Sequence, residues 1–168
     1  QEDRPAGIRA KMNQLQDARI IEELYRAGQA GVPISLNVRG ICCLRAGVTG
    51  LSENIRVFST LGRFLEHGRI YRFENGGNPE YFLGSADWMR RNLDRRMETM
   101  MPVSDPQLKK ELEQSLNVYD NDNCSAWDMQ PDGNYVQRRP RKGQKRRAAQ
   151  DVFIDLIGKQ SQLGGTDH

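Results

Sequence analysis

Apolar positions along the chain fall into two periods, and the two alternate in a way that predicts interleaved strands and helices. From Asp17, placed to cap a helix, Ile20, Ile21, Leu24 and Tyr25 recur at helical spacing, and Gly28 reads as the stop. Val32, Ile34, Leu36 and Val38 then alternate with Pro33, Ser35 and Asn37, the period of a strand with one face on a core. Ile55 to Ser59 reads as a second strand, and Gly62 to Glu66 as a turn of helix or a loop. Arg69 to Phe73 and Tyr81 to Ser85 flank the turn sequence Asn75-Gly76-Gly77-Asn78-Pro79 and read as a hairpin. Met97 to Val103 suggests another strand, and Asp105 to Asn117 a helix with Leu108, Leu112 and Leu116 on one stripe. A small excursion hairpin is expected where Pro131-Asp132-Gly133 joins Trp127-Asp128-Met129 to Tyr135-Val136, followed by a helix over Ala148 to Ile157 and a frayed Gly164 to His168. The opening QEDRPAG carries no apolar periodicity, and no internal repeat is present. The pattern is that of one α/β domain.

Length and charge narrow the class. At 168 residues the chain has room for a single continuous core and no tandem pair of large domains. The formal charge of +3 is modest, but seven Lys and Arg crowd into residues 138–147 without an acid, directly after a 120–132 segment that holds four Asp and no Lys or Arg. Such a run reads either as a solvated, flexible segment or as a docking surface for a polyanion or another domain. The three cysteines, Cys42, Cys43 and Cys124, lie outside any CxxC or Cys/His spacing, which suggests a reduced protein without structural metal. No stretch approaches the roughly 20 apolar residues of a membrane span. The expected location is the cytoplasm, with attachment to a membrane left open. Beginning at Gln1, the chain reads as an excised domain whose site is completed elsewhere.

The candidate chemistry lies around His67 and Arg69. If the strand that contains Arg69 reaches back to His67, alternation puts both side chains on one face about 7 Å apart, within reach of one phosphate. Imidazole shuttles protons or accepts a phosphoryl group near neutral pH, and a guanidinium grips phosphate oxygens in a fork. Ser85 and Asp87 share a side of the neighbouring strand and are expected near that pair. Arg39 sits at the carboxyl end of its strand, the edge where open α/β sheets gather ligands, though a solvent-facing Arg reads equally well. Glu74 or Asp87 could fix the His67 tautomer; the plainer reading pairs both with basic neighbours on the hairpin. Cys42 and Cys43 read as buried apolar side chains.

Two resemblances follow from these residues. His67, Arg69 and Glu74, with Gly84-Ser85-Ala86-Asp87, resemble the HxK(x)4D plus GSxN signature of the phospholipase D superfamily, with Arg for Lys, Glu for Asp and Asp for Asn. More specifically, Asn37-Val38-Arg39-Gly40-Ile41-Cys42-Cys43-Leu44, Gly62-Arg63-Phe64-Leu65-Glu66-His67 and Ser85-Ala86-Asp87-Trp88-Met89 with Arg91-Asn92-Leu93-Asp94 are similar to the last catalytic domain of bacterial polyphosphate kinase. Lys11 and Asn13 fall in a block similar to the same family, without a role attached. The resemblance implies a phospholipase D-like mixed sheet flanked by helices over residues 1–168, with 120–147 as a hairpin and basic excursion. It implies reversible transfer of the ATP terminal phosphoryl group to inorganic polyphosphate, with Mg²⁺ accompanying the nucleotide and no metal site in this chain. It also implies that the phosphoryl-carrying His belongs to a second, similar half, that His67 is the family's other essential His, and that Arg39, His67, Arg69 and Arg96 contact phosphates, supported by Glu74, Ser85, Asp87 and Asn92. The implied partners are ATP or ADP, polyphosphate, the remaining domains of the same kinase and further copies in a homo-oligomer, with no nucleic acid. The competing readings are a phospholipase D-type phosphodiesterase and a non-catalytic polyanion-binding module.

Overall fold

The computed structural model of the protein describes residues 4–163, with side chains described through 158; Gly164 to His168, expected to fray, lies outside the described residues. Its centre is one mixed sheet of eight strands in the order β6-β5-β4-β1-β2-β3-β7-β8. Strands β1 (Ile8–Met12), β2 (Ile34–Val38) and β3 (Ile55–Thr60) are parallel, and β4 (Ile70–Phe73), β5 (Glu80–Gly84) and β6 (Met100–Val103) follow antiparallel on the β1 side. On the other side β7 (Ala126–Met129) pairs antiparallel with β3, and β8 (Tyr135–Gln137) with β7. The expected hairpin forms, β7 against β8, but it extends the main sheet through β3 instead of standing off it as an excursion.

The two faces of this sheet differ chemically. Alternation sends Ala10, Met12, Leu36, Val38 and Val57 to one face, where α1 (Ala18–Gln29) covers them with Ile21 and Leu24 to form the main core. Each such fully buried aliphatic side chain contributes about 1.5–3 kcal/mol. Asp17 caps α1 by accepting the Ile20 N–H at 3.1 Å. Gly28 does not stop the helix. It is buried within α1, where an added Cβ would stand 3.0 Å from Ile55 Cγ1, and the chain turns instead at Gly31, whose φ of +89° suits glycine.

The opposite face is polar at its centre. Arg9, Ser35, Arg56 and Arg72 meet α3 (Pro106–Asp120), with Arg9 donating to Glu113 and Asp120 at 2.6 Å each and Arg56 to Asp120 at 3.0 Å. Smaller apolar clusters flank this network, Phe58, Tyr119 and Ala126 against α4 (Ala149–Leu163), and Ile70 and Tyr81 against Leu116 of α3. A short α2 (Arg90–Arg95) precedes β6, in a span to which the sequence pattern assigned no element. The unexpected strand is β1, whose Arg9 and Lys11 fall on the polar face.

Candidate functional site: a cationic cleft at the carboxyl edge of the parallel strands

Three backbone segments meet beyond the carboxyl ends of β1 and β2. Gly40 N donates to Asn13 O at 2.8 Å, Leu15 N to Ile41 O at 2.9 Å, and Gln16 N and Asp17 N both to Trp88 O. Gly40 is required there, since a Cβ would lie 3.1 Å from Asn13 O. Trp88 stacks on Tyr71 at 5.1 Å between ring centroids, and the Tyr71 hydroxyl donates to Ala86 O at 2.6 Å. Burial holds that phenol well above its ordinary pKa, so it stays a donor. These contacts fix Asp87 against β1. Its carboxylate, 4% exposed, accepts the Asn13 N–H at 2.7 Å and a two-point contact from Arg69, Nε at 3.2 Å and Nη2 at 3.0 Å.

Lys11 is 3% exposed, with Nζ 2.8 Å from Gly68 O and 3.6 Å from the Glu66 carboxylate. Burial lowers its pKa; Glu66 opposes that shift, and the positive charges of Arg39 and Arg69 add to it. Lys11, Arg39 and Arg69 thus share one electrostatic neighbourhood. Two of these cations are engaged with carboxylates. Arg39 is different: among the described residues it forms no ion pair, and its buried Nε has no hydrogen-bond partner. Asn13, 2% exposed, likewise leaves both side-chain Oδ1 and Nδ2 without partners. Buried polar atoms are rarely left unpaired because each costs about 1–3 kcal/mol. A partly buried guanidinium with an unsatisfied Nε and a buried amide, side by side at one sheet edge, suit an oxyanion.

His67 lies on the connection between β3 and β4, which crosses over this edge. The expectation that its strand reaches back to it is corrected, because β4 begins at Ile70 and residues 61–69 are loop. The loop is nonetheless tied down. Gln150 of α4 accepts the Phe64 N–H and donates to Phe64 O, both at 2.9 Å, and donates to Glu66 Oε1 at 2.8 Å, while the Tyr119 hydroxyl donates to Glu66 Oε2 at 2.5 Å. Arg69 Nη1 donates to the His67 carbonyl at 2.7 Å. The imidazole itself is exposed and, among the described residues, has no hydrogen-bond partner.

The remaining expected site residues divide. Glu74 is a correction: it follows β4 at the opposite edge of the sheet, where it accepts from Arg72 at 2.6 Å, about 13 Å along the strand from the His67 end. It cannot fix the His67 tautomer. Asp87 cannot either, its oxygens being engaged by Arg69 and Asn13. Ser85 is exposed and turns to Glu98, a carboxylate that sequence reasoning missed, and Thr99 N donates to its hydroxyl at 3.1 Å. Asn92 is buried, donates Nδ2 to Glu98, and leaves Oδ1 unpartnered. Arg96, exposed at the end of α2, lies close enough to Glu98 to help lower its pKa, after the Ser85 and Asn92 hydrogen bonds and alongside Arg69. Cys43 is exposed rather than buried; Cys42 is partly buried, and burial raises its thiol pKa to about 11. Among the described residues no group of three or more His, Cys, Asp or Glu side chains could hold a metal ion. No described helix is long and apolar enough to cross a membrane.

Residues 1–150 match the family described as polyphosphate kinase C-terminal domain 2. The chain belongs to the polyphosphate kinase family. It is 53% identical over 150 residues to a polyphosphate kinase of Thermosynechococcus vestitus, covering 89% of this chain and 20% of that enzyme. A Synechocystis sp. polyphosphate kinase is 57% identical over 146 residues, 87% of this chain and again 20% of the relative. The chain thus spans about a fifth of the length of these polyphosphate kinases. In three dimensions it matches the crystal structure of the Porphyromonas gingivalis polyphosphate kinase with a TM-score of 0.87 at 42% identity, over 95% of this chain and 24% of that one. A phospholipase D family member, Nuc from Salmonella typhimurium, shares the fold at a TM-score of 0.55 and 14% identity, covering 76% of this chain and 84% of that one. The phospholipase D-like mixed sheet expected from the sequence is the fold of this polyphosphate kinase domain.

Proposed function

We propose that this chain supplies the phosphate-gripping part of a reversible kinase site that moves the terminal phosphoryl group of ATP onto inorganic polyphosphate, and back to ADP. The observation that carries the reading is the unpartnered, buried Arg39 Nε beside the unpartnered Asn13 side chain, within the field of Lys11 and Arg69. Phosphoryl transfer proceeds through a loose transition state with charge spread over the equatorial oxygens, so its catalysis is largely positioning and preorganised positive charge. Arg39 offers its guanidinium to non-bridging oxygens without first breaking an ion pair. Asn13 Nδ2 adds a neutral donor, and Lys11 adds positive potential from below. Arg69 acts mainly as scaffold: Asp87 and the His67 carbonyl take three of its five N–H groups, which leaves one on Nη1 and one on Nη2 for the ligand. His67, exposed on a pinned loop, contacts the phosphates and exchanges a proton with them. Arg96 approaches from the Asn92 and Glu98 side. Mg²⁺ arrives on the nucleotide phosphates, held by groups outside this chain, and the His that carries the phosphoryl group, the remaining domains and a homo-oligomeric assembly in the cytoplasm complete the enzyme.

A chimera tests this. Replacing the matching fifth of the Thermosynechococcus vestitus enzyme with this chain is expected to preserve ATP formation from ADP and polyphosphate. Arg39→Ala or His67→Ala within the chimera is expected to lower turnover about 10²-fold or more, the cost of one preorganised donor. Both variants retaining full turnover would overturn the assignment, as would diester hydrolysis by the chain that survives both substitutions.

A further inference from the structure

The basic run at residues 138–147 starts at the same edge of the sheet as the cationic cleft and ends against the α3–α4 layer. Because β7 is antiparallel to β3 and β8 to β7, β8 runs parallel to β1, β2 and β3, and its carboxyl end emerges where theirs do. Arg138 N donates to Ala126 O at 2.9 Å, level with Thr60 at the end of β3. Arg138 itself is structural. Its guanidinium pairs with both oxygens of Asp128 at 2.7 and 2.8 Å, donates to Asp120 O and Asp122 O, and lies over the Phe58 ring.

The six cations that follow, Arg139, Arg141, Lys142, Lys145, Arg146 and Arg147, are exposed, and among the described residues none of their side chains joins an ion pair or a hydrogen bond. Their backbone, in contrast, is fastened. Asn123 donates to Lys145 O at 3.0 Å and accepts the Arg147 N–H at 2.8 Å; Arg147 O in turn accepts the Asn123 N–H at 3.0 Å. Gln144 closes a turn by accepting the Arg141 N–H at 3.1 Å and donating its own N–H to Arg141 O at 2.9 Å, and Gly143 takes the positive φ of +82° that this turn needs. The reading of this run as a flexible segment is thereby corrected. It is a strap of unpaired cations on a fastened backbone, and its start at Arg138 lies three strand steps, about 14 Å, from Arg39. Asp151 and Asp155 share a cleft with Lys145, Arg146 and Arg147, which still leaves the strap four charges in excess.

We infer that the strap is a second anion site that holds the polyphosphate chain outside the transfer cleft, a role that rests on the function proposed above. The occupant needs charge at close repeats over more than 14 Å, which a linear polyphosphate has and a nucleotide lacks. Single-stranded nucleic acid is disfavoured because its sites combine cations with aromatic platforms for the bases, and residues 138–147 contain no aromatic residue. A fixed backbone lowers the ordering cost of binding, so the cations act together.

The test compares this chain with a strap variant carrying Arg139→Gln, Arg141→Gln, Lys142→Gln, Lys145→Gln and Arg146→Gln, titrated with long-chain polyphosphate and with tripolyphosphate. All five side chains are exposed and unpaired, and thermal unfolding checks that the fold is kept. The variant is expected to lose at least about tenfold in affinity for the long chain, with the slope of log affinity against log salt falling by about 0.7 for each strap cation in contact. Its affinity for tripolyphosphate is expected to stay unchanged. Unchanged affinity for the long chain, an equal loss for tripolyphosphate, or oligo-dT binding the strap as tightly as polyphosphate would each overturn the inference. Arg39→Ala separates the two claims, since it is expected to weaken tripolyphosphate binding while the strap is intact; tripolyphosphate binding indifferent to Arg39 would instead count against the transfer cleft.

Discussion

Gln150→Ala removes the clamp that ties α4 to the loop bearing His67. Three hydrogen bonds go: two with the Phe64 backbone at 2.9 Å and one to the Glu66 carboxylate at 2.8 Å. Neutral bonds are worth about 0.5–1.5 kcal/mol each and one to a charged group about 1.5–3, so the sum runs from about 2.5 to about 6 kcal/mol. The lower end applies, because Leu61, Phe64 and Leu65 are exposed and water reaches the freed backbone. A loss of about 2.5 kcal/mol in the local opening free energy predicts hydrogen exchange about seventyfold faster at the Phe64 amide, with the β1, β2 and β3 amides little changed. Glu66 remains held by Tyr119 and Lys11, so His67 gains freedom without leaving the site, and phosphate affinity is expected to fall severalfold. Hydrogen–deuterium exchange resolved over residues 61–69 is the assay. Exchange at Phe64 as slow as in the unsubstituted chain would refute the claim that this amide clamp orders the loop.

Asp122 should set part of the acid stability: burial raises its pKa, but the Ser125 hydroxyl and the backbone N–H groups of Ala149, Cys124 and Ser125 outweigh that and leave it below the ordinary value. Its stabilisation is present above the unfolded carboxyl pKa of about 3.9 and is lost as pH falls through the lower folded value. Asp122→Ala is expected to cost about 3–5 kcal/mol at pH 7 and to flatten the loss of stability below about pH 4, both read from urea unfolding; an unchanged acid limb would contradict this. Lys11, with its pKa lowered by burial, should regain its proton when an anion binds beside it, because the anion favours the charged form. Calorimetry in buffers of different ionisation enthalpy is therefore expected to show proton uptake on tripolyphosphate binding at alkaline pH below the ordinary lysine value of about 10.4, and none in Lys11→Met. Equal uptake in both proteins would remove Lys11 from the site.

Much of the architecture could be read from periodicity, because one face of the sheet is uniformly apolar. Leu36, Val38 and Val57 alternate cleanly, and Asp17 marks a helix start with its own hydrogen bond. The strand that escaped notice is β1, where Arg9 and Lys11 occupy the alternate positions; on a sheet whose second face buries charge, a strand looks polar by sequence. Gly28 misled for a related reason, since its small size serves the contact with Ile55 rather than the end of the helix. The placement of Arg39, Arg69 and Asp87 at one edge of the sheet was legible from strand ends and motif spacing. Glu74 was misplaced because spacing in sequence ignores that a whole strand separates it from His67. Glu66, Glu98 and Gln150 act through partners 6 to 86 residues away, and no periodic pattern reveals them. Lys11 carried a signal that could have been weighed, a lysine among apolar residues at a strand's carboxyl end.

Isothermal titration of tripolyphosphate into this chain and its Arg39→Ala variant, at one low salt concentration, asks whether the carboxyl edge of the parallel strands is a preformed oxyanion cleft around Arg39. Loss of a charge-assisted contact of about 1.5–3 kcal/mol predicts an affinity lower by about 10- to 150-fold, with the fold unchanged by circular dichroism. Equal affinities for the two proteins would contradict it.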